Sequence, residues 1–148
     1  MINRKFAGKR SGGFSLIELV IVVVIIAIIG AIAIPKMSRG AAGAADASLI
    51  QDLAVLRSAL DLYATENAGV YPTAVNCVTA LTTYNDGNGA YNATKTATYI
   101  YGPYLRAVPA LPVPAPRKGS SGIAAADAAG IGWLYTAATG VITANTTT

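Results

Sequence analysis

The groups able to do chemistry are few: seven carboxylates, one cysteine (Cys77) and no histidine in 148 residues. That inventory excludes a histidine-based triad, a Cys/His zinc site and a disulfide framework. No pair of carboxylates falls in a catalytic spacing, so no catalytic residues are nominated and an enzyme is not expected. One carboxylate stands apart. Glu18 is the only charge in FSLIELVIVVVIIAIIGAIAI, residues 14–34. A charge at the centre of a bilayer costs about 2.5–3.5 kcal/mol, and even near one end of an apolar run it needs a partner. Ser15 and Glu18 have the S-x-x-E spacing of a capping box, in which the carboxylate bonds a free backbone N–H at the helix start.

The run that holds Glu18 is long enough to cross a membrane, since a helix over 14–34 spans roughly 31 Å. Apolar residues make up 53% of the chain and charged residues 12%, about half the charged share of an ordinary soluble protein. Arg4, Lys5, Lys9 and Arg10 precede the run, whereas from Phe14 onward seven basic side chains balance seven acidic ones. The net charge of +4 therefore belongs to a short N-terminal segment, and nucleic acid is not expected as a partner. The positive-inside rule leaves the N-terminus in the cytoplasm and exports the rest. A secretory signal peptide cut after Ala31-Ile32-Ala33 is the alternative. Against it stand a run longer than the usual 7–15 residues and a carboxylate inside that run.

Gly12-Gly13 followed by Phe14-Ser-Leu-Ile-Glu18-Leu-Val resembles the prepilin signature of type IV pilins and type II secretion pseudopilins. The resemblance implies that a prepilin peptidase cuts after Gly13 on the cytoplasmic side and methylates the new amine of Phe14. It implies also that Glu18 meets the N-terminal amine of a neighbouring subunit as that subunit leaves the inner membrane. Further implied partners are an assembly platform in the inner membrane, minor pilins and, above all, other copies of the chain. Pro35 removes a backbone donor and crowds the carbonyl four residues back, and Gly30 lies about one turn before it. Gly30 to Pro35 is thus where the helix is expected to bend or melt in a filament, the alternative being a plain proline kink with no part in assembly.

Beyond the proline, Leu49, Leu53, Leu56, Leu60 and Tyr63 recur at spacings of 4, 3, 4 and 3. They predict an amphipathic helix that offers one apolar face to a small domain. Gly69 and Pro72 stop it. Short strands follow: Thr96–Tyr101 is one, and Gly132–Tyr135 with Val141–Ala144 form a hairpin. The expected fold is α+β, a long N-terminal helix on a small antiparallel sheet of three or four strands. The expected divisions are a cleaved leader over 1–13, a membrane and filament-core helix over 14–34, an amphipathic half over 35–68 and an exported β-rich region over 69–148.

Tyr71-Pro72-Thr73, and Gly102-Pro103-Tyr104-Leu105 with Val108-Pro109, are similar to the major pseudopilin of type II secretion. Such proteins usually continue with a carboxylate-rich calcium loop, where this chain has Ala110-Leu-Pro-Val-Pro-Ala-Pro-Arg-Lys118. No cofactor is expected. Asn85-Asp86-Gly87-Asn88-Gly89 faintly suggests a cation loop, but Asp86 is its single carboxylate and calcium takes six to eight oxygens. An ordinary turn is the better reading. Val108–Pro116, with four prolines, reads as an extended exposed loop ending in Arg117 and Lys118, which together with Arg106 are read as solvated charges. Cys77, unable to form a disulfide alone, reads as a buried apolar filler. The tyrosines at 99, 101 and 104 are taken as packing residues. The expected function is a structural subunit of a type IV pilus-like filament, a type II secretion pseudopilus in first place and a pilus for adhesion, motility or DNA uptake in second. An anchored, exported binding domain that never polymerises is the alternative of another class.

Overall fold

A computed structural model describes residues 13–113 and 116–147, the side chains of residues 33–39 lying outside the described set. Of the expected leader only Gly13 is among them. The chain divides into two units, Met1–Gly40 and Ala41–Thr148. One helix, α1 (Leu16–Glu66), contributes to both. Most of its residues through Glu66 are Ala, Leu and other helix formers or apolar side chains, and it carries Gly30, Pro35, Gly40 and Gly43 within it. It ends where Ala68 and Gly69 turn to φ values of 55° and 80°. Gly69 N–H then bonds the Ala64 carbonyl at 2.7 Å, closing the orphan carbonyls of the last turn.

In the second unit the expected leucine stripe is the heart of the core. Leu56, Leu60 and Tyr63 are buried, with Leu49 and Leu53 packed at the margin. A short helix, α2 (Cys77–Thr82), adds Cys77, Ala80 and Leu81. Opposite stand Ile123, Trp133, Tyr135 and Ile142. Those four come from a three-stranded sheet of β3 (Gly122–Ala124), β4 (Ile131–Thr136) and β5 (Val141–Ala144), in the order β3-β4-β5. Trp133 Nε1 donates to the Pro109 carbonyl at 2.9 Å and Tyr135 Oη to the Pro72 carbonyl at 3.0 Å, so both large aromatics bury their rings without stranding a polar atom.

The α+β class and the hairpin stand as expected: β4 and β5 pair antiparallel from Trp133↔Ala144 to Thr136↔Val141. The all-antiparallel sheet does not. β3 runs parallel to β4, with an irregularity between Gly122 and Ile123. The remaining two strands, β1 (Tyr84–Asn85) and β2 (Tyr91–Asn92), form a separate antiparallel pair. Thr96–Tyr101 is not a strand; only Tyr101 bridges to Asn85. Its alternating Tyr-Ile-Tyr pattern is satisfied by a loop held on local hydrogen bonds, Thr96 Oγ1 accepting from the amides of Thr98 and Tyr99.

The exposed proline loop also needs correction. Leu111 and Val113 are core residues, and Leu111 exchanges backbone hydrogen bonds of 2.9 Å with Ser120 and Gly119. Extended backbone rich in proline has few donors of its own to satisfy, so it can lie against the core at little cost in lost hydrogen bonds. Arg117 is not a solvated charge either, being bonded to Asp127. Arg106 and Lys118 are exposed.

Candidate functional site

The first unit presents an unusual surface. From Phe14 to Ile32 the large apolar side chains are exposed on every side of the helix, from 44% at Val20 to 83% at Phe14. A helix apolar all round belongs in a bilayer or in the centre of an assembly. Each such side chain gains about 1.5–3 kcal/mol when fully buried, so the fourteen of them exposed here would, left in water, outweigh the whole stability of a small domain. Among the described residues no helix is long and apolar enough to cross a membrane. The described apolar part of α1, Leu16 to Ile32, covers roughly 25 Å, short of the hydrocarbon thickness of about 30 Å. The side chains that would complete the span fall among residues 33–39, and the membrane-spanning reading of 14–34 is carried on from the sequence.

Gly13 and Phe14 lie just ahead of α1, outside any helix or strand and both exposed, and a Cβ placed on Gly13 would meet nothing within 4 Å. A peptidase can therefore reach this bond without unwinding helix. Glu18 sits exposed in the first turn. Among the described residues it has neither an ion-pair partner nor the reciprocal hydrogen bonds of a capping box; the bond in this turn is Leu19 N–H to the Ser15 carbonyl, 3.2 Å. Gly30 is half-buried with open space beside it. α1 is assigned as helix through Gly30 and residue 35 alike, and the side chain of Pro35 lies outside the described residues.

The second unit holds the residues of the second resemblance, and they are structural. The amides of Tyr104 and Leu105 both donate to the Leu81 carbonyl, at 3.0 and 2.9 Å. Tyr104 Oη donates to Glu66 Oε2, accepts from Asn85 Nδ2 at 3.0 Å, and its ring meets Tyr63 edge-on with centroids 5.6 Å apart. Burial and the Glu66 carboxylate push the Tyr104 phenol up to about 12. The Gly-Pro-Tyr-Leu segment thus fastens the C-terminal end of α1 to α2 and β1. Tyr71 Oη bonds Asp61 Oδ1 at 3.1 Å, and its ring lies where a Cβ on Gly140 would have to go. Cys77 is fully buried, and burial pushes its thiol up to about 12. That makes it an inert filler.

A calcium site of the kind usual in the major pseudopilins finds no fitting donors among the described residues. Asp86 Oδ1 accepts from the amides of Asn88 (2.8 Å) and Ala90 (3.0 Å), and these bonds hold its carboxyl below the ordinary range. This is an Asx turn. Asp127, the one carboxylate of the C-terminal loops, is already occupied. Its Oδ1 takes Arg117 Nε at 2.7 Å and Asn145 Nδ2 at 2.7 Å, and its Oδ2 takes Arg117 Nη2 at 2.9 Å. Among the described residues no group of three His, Cys, Asp or Glu side chains could hold a metal ion.

The Arg117–Asp127–Asn145 cluster was not foreseeable by motif, because its three members are 10 and 18 residues apart and none has a distinctive neighbour. Arg117, first, and Asn145 hold the Asp127 carboxyl below the ordinary range. A depressed folded pKa means the cluster stabilises the fold fully above the unfolded value near 3.9, and that contribution is lost as pH falls through the folded value. Acid titration followed by the near-ultraviolet signal of buried Trp133 is expected to show loosening only below about pH 4. In Asp127→Asn that step should vanish; its persistence would move the acid sensitivity elsewhere.

Residues 8–34 match the prokaryotic N-terminal methylation motif, the prepilin-type signature of type IV pilins and pseudopilins. No curated protein and no solved structure matches the chain. The signature supports a type IV pilin-like filament subunit, which a prepilin peptidase processes and which is anchored in a membrane before it joins the filament. The pilin-type family that carries this motif is structural.

Proposed function

We propose that this chain is the polymerising subunit of a type II secretion pseudopilus, cut between Gly13 and Phe14, methylated at Phe14 and held before assembly as a single-pass inner-membrane protein with its C-terminal unit in the periplasm. The observation that carries the filament reading is the conjunction of the methylation motif over residues 8–34 with an apolar helix surface exposed on every side. Membrane lipid covers that surface first and the helices of other subunits cover it later. Glu18, without a partner among the described residues, is then free to take the amine of an incoming Phe14. Gly30 and Pro35 are the points at which the helix yields as subunits pack. The inner-membrane platform and minor pilins supply the docking site at which this happens.

The pseudopilus in particular is supported by the Gly102–Pro109 resemblance and by the part those residues take in fastening α1. The first experiment is mass spectrometry of the N-terminal peptide from native membranes. A mature chain starting at methylated Phe14 is expected. A start at Ile34 would mean a cleaved signal peptide, removing the helix and the filament with it. Deleting the gene then separates the two filaments: loss of protein secretion is expected, whereas intact secretion with loss of surface fibres would make the protein a pilin for adhesion, motility or DNA uptake.

A further inference from the structure

β3 is the weakest element of the sheet and ought not to hold its place unaided. It has three residues, lies at the edge, and pairs parallel with β4 through an irregular register. Parallel neighbours ordinarily need a crossover of a dozen or more residues, commonly a helix. Here residues 125–130 make the whole return, too few for any helix to pack across the sheet. Asp127 sits in this return. Arg117 precedes β3, and Asn145 follows β5. Three stretches of chain that no ladder joins meet at one carboxylate.

The rest of the geometry fits a fastener. Asn145 is fully buried; besides Asp127 its Nδ2 bonds the Ile131 carbonyl at 2.9 Å, and its backbone N–H bonds the Gly132 carbonyl at 2.8 Å. Arg117 approaches side-on with two nitrogens, the arrangement that adds geometric definition to charge. Gly122 N–H and the Gly130 carbonyl, 3.0 Å apart, close the base of the return. A Cβ on Gly122 would come within 2.6 Å of that carbonyl oxygen, so the two backbones touch directly.

We infer that Arg117 acts as a tethered cation which, through Asp127 and Asn145, locks the short parallel return, so that this sheet is fastened without any divalent metal. The donor set argues for it directly, since both oxygens of Asp127 are spent on a guanidinium and a carboxamide, and its one negative charge is already balanced by the Arg117 cation. The fastener also guards an edge. Without β3, the N–H and C=O groups of β4 would be open to pairing with another chain.

The test uses the full chain in detergent and does not depend on the filament reading. Amide hydrogen exchange is followed at Ile123 and Ala124 with α1 residues 56–63 as internal reference, and thermal melting is followed with chelator and with added calcium. Melting of the wild type is expected to be indifferent to both. Arg117→Gln and Asp127→Asn should each speed exchange in β3 about tenfold or more while leaving the α1 amides unchanged, the pattern of local opening. Arg117→Lys, which keeps the charge and loses the fork, should fall between. A melting point lowered by chelator or raised by calcium would overturn the inference. So would unchanged β3 exchange in Asp127→Asn, or a rise spread equally over α1.

Discussion

Glu18→Ala is expected to yield a chain that inserts, is cut and is methylated at Phe14 as before, yet forms no filaments. Insertion should not suffer, because removing a carboxylate from an apolar helix removes a cost of about 2.5–3.5 kcal/mol at most. Cutting should not suffer either, since the Gly13–Phe14 bond lies outside α1 in accessible backbone. What disappears is the attraction between the carboxylate and the amine of the incoming subunit. Two unit charges 4 Å apart attract by about 4 kcal/mol at an effective dielectric constant of 20, close to a thousandfold in the docking equilibrium. Filament growth repeats that step at every subunit, so the loss compounds. Mass spectrometry of the N-terminus, membrane fractionation and electron microscopy of sheared fibres read the three stages separately. Normal fibres in the variant would refute the assembly role. Glu18→Asp, retaining the charge on a shorter arm, is expected to restore part of the growth.

How far the sequence could be read follows from what kind of interaction each region relies on. The leucine stripe was legible because burial at a helical period leaves a pattern in one short stretch, and Leu56, Leu60 and Tyr63 occupy the core as that pattern demands. The β4–β5 hairpin was legible for the same reason, two apolar runs around Thr-Ala-Ala-Thr-Gly. Gly13, Phe14 and Glu18 stand together in six residues, and the methylation motif covers them. The illegible parts are those held by contacts distant in sequence. Leu111 and Val113 read as members of a solvent loop because their proline neighbours dominate the local composition, whereas the backbone bonds of Leu111 to Gly119 and Ser120 hold this stretch against the core. The parallel β3 has only Gly-Ile-Ala to announce it. The partnership of Arg117, Asp127 and Asn145 has no local trace at all.

The same distinction separates two glycines two residues apart, and a single alanine should expose it. Gly130 has φ of 81°, with open space around it, so Gly130→Ala meets only the left-handed backbone penalty of roughly 1–2 kcal/mol. Gly132 lies inside β4, and its need is for room. A Cβ there would stand 2.1 Å from the Ser120 carbonyl oxygen, 2.8 Å from its carbon and 3.3 Å from Leu111 Cβ. The first two are backbone atoms that no rotamer change can move. Ser120 O is itself the acceptor for the Leu111 amide at 2.9 Å, and the Gly132 carbonyl receives the Asn145 amide at 2.8 Å. Accommodating one methyl group must therefore pull apart the strap carrying Leu111, the strand carrying Trp133 and the segment carrying Asn145. Gly132→Ala is expected to cost about 3 kcal/mol or more, the upper end of what overpacking does to a filled interior. Chemical denaturation of the full chain, read by Trp133 fluorescence, gives both values side by side. If Gly132→Ala proved no worse than Gly130→Ala, the close approach of β4 to the strap would be wrong, and the burial of Leu111 with it.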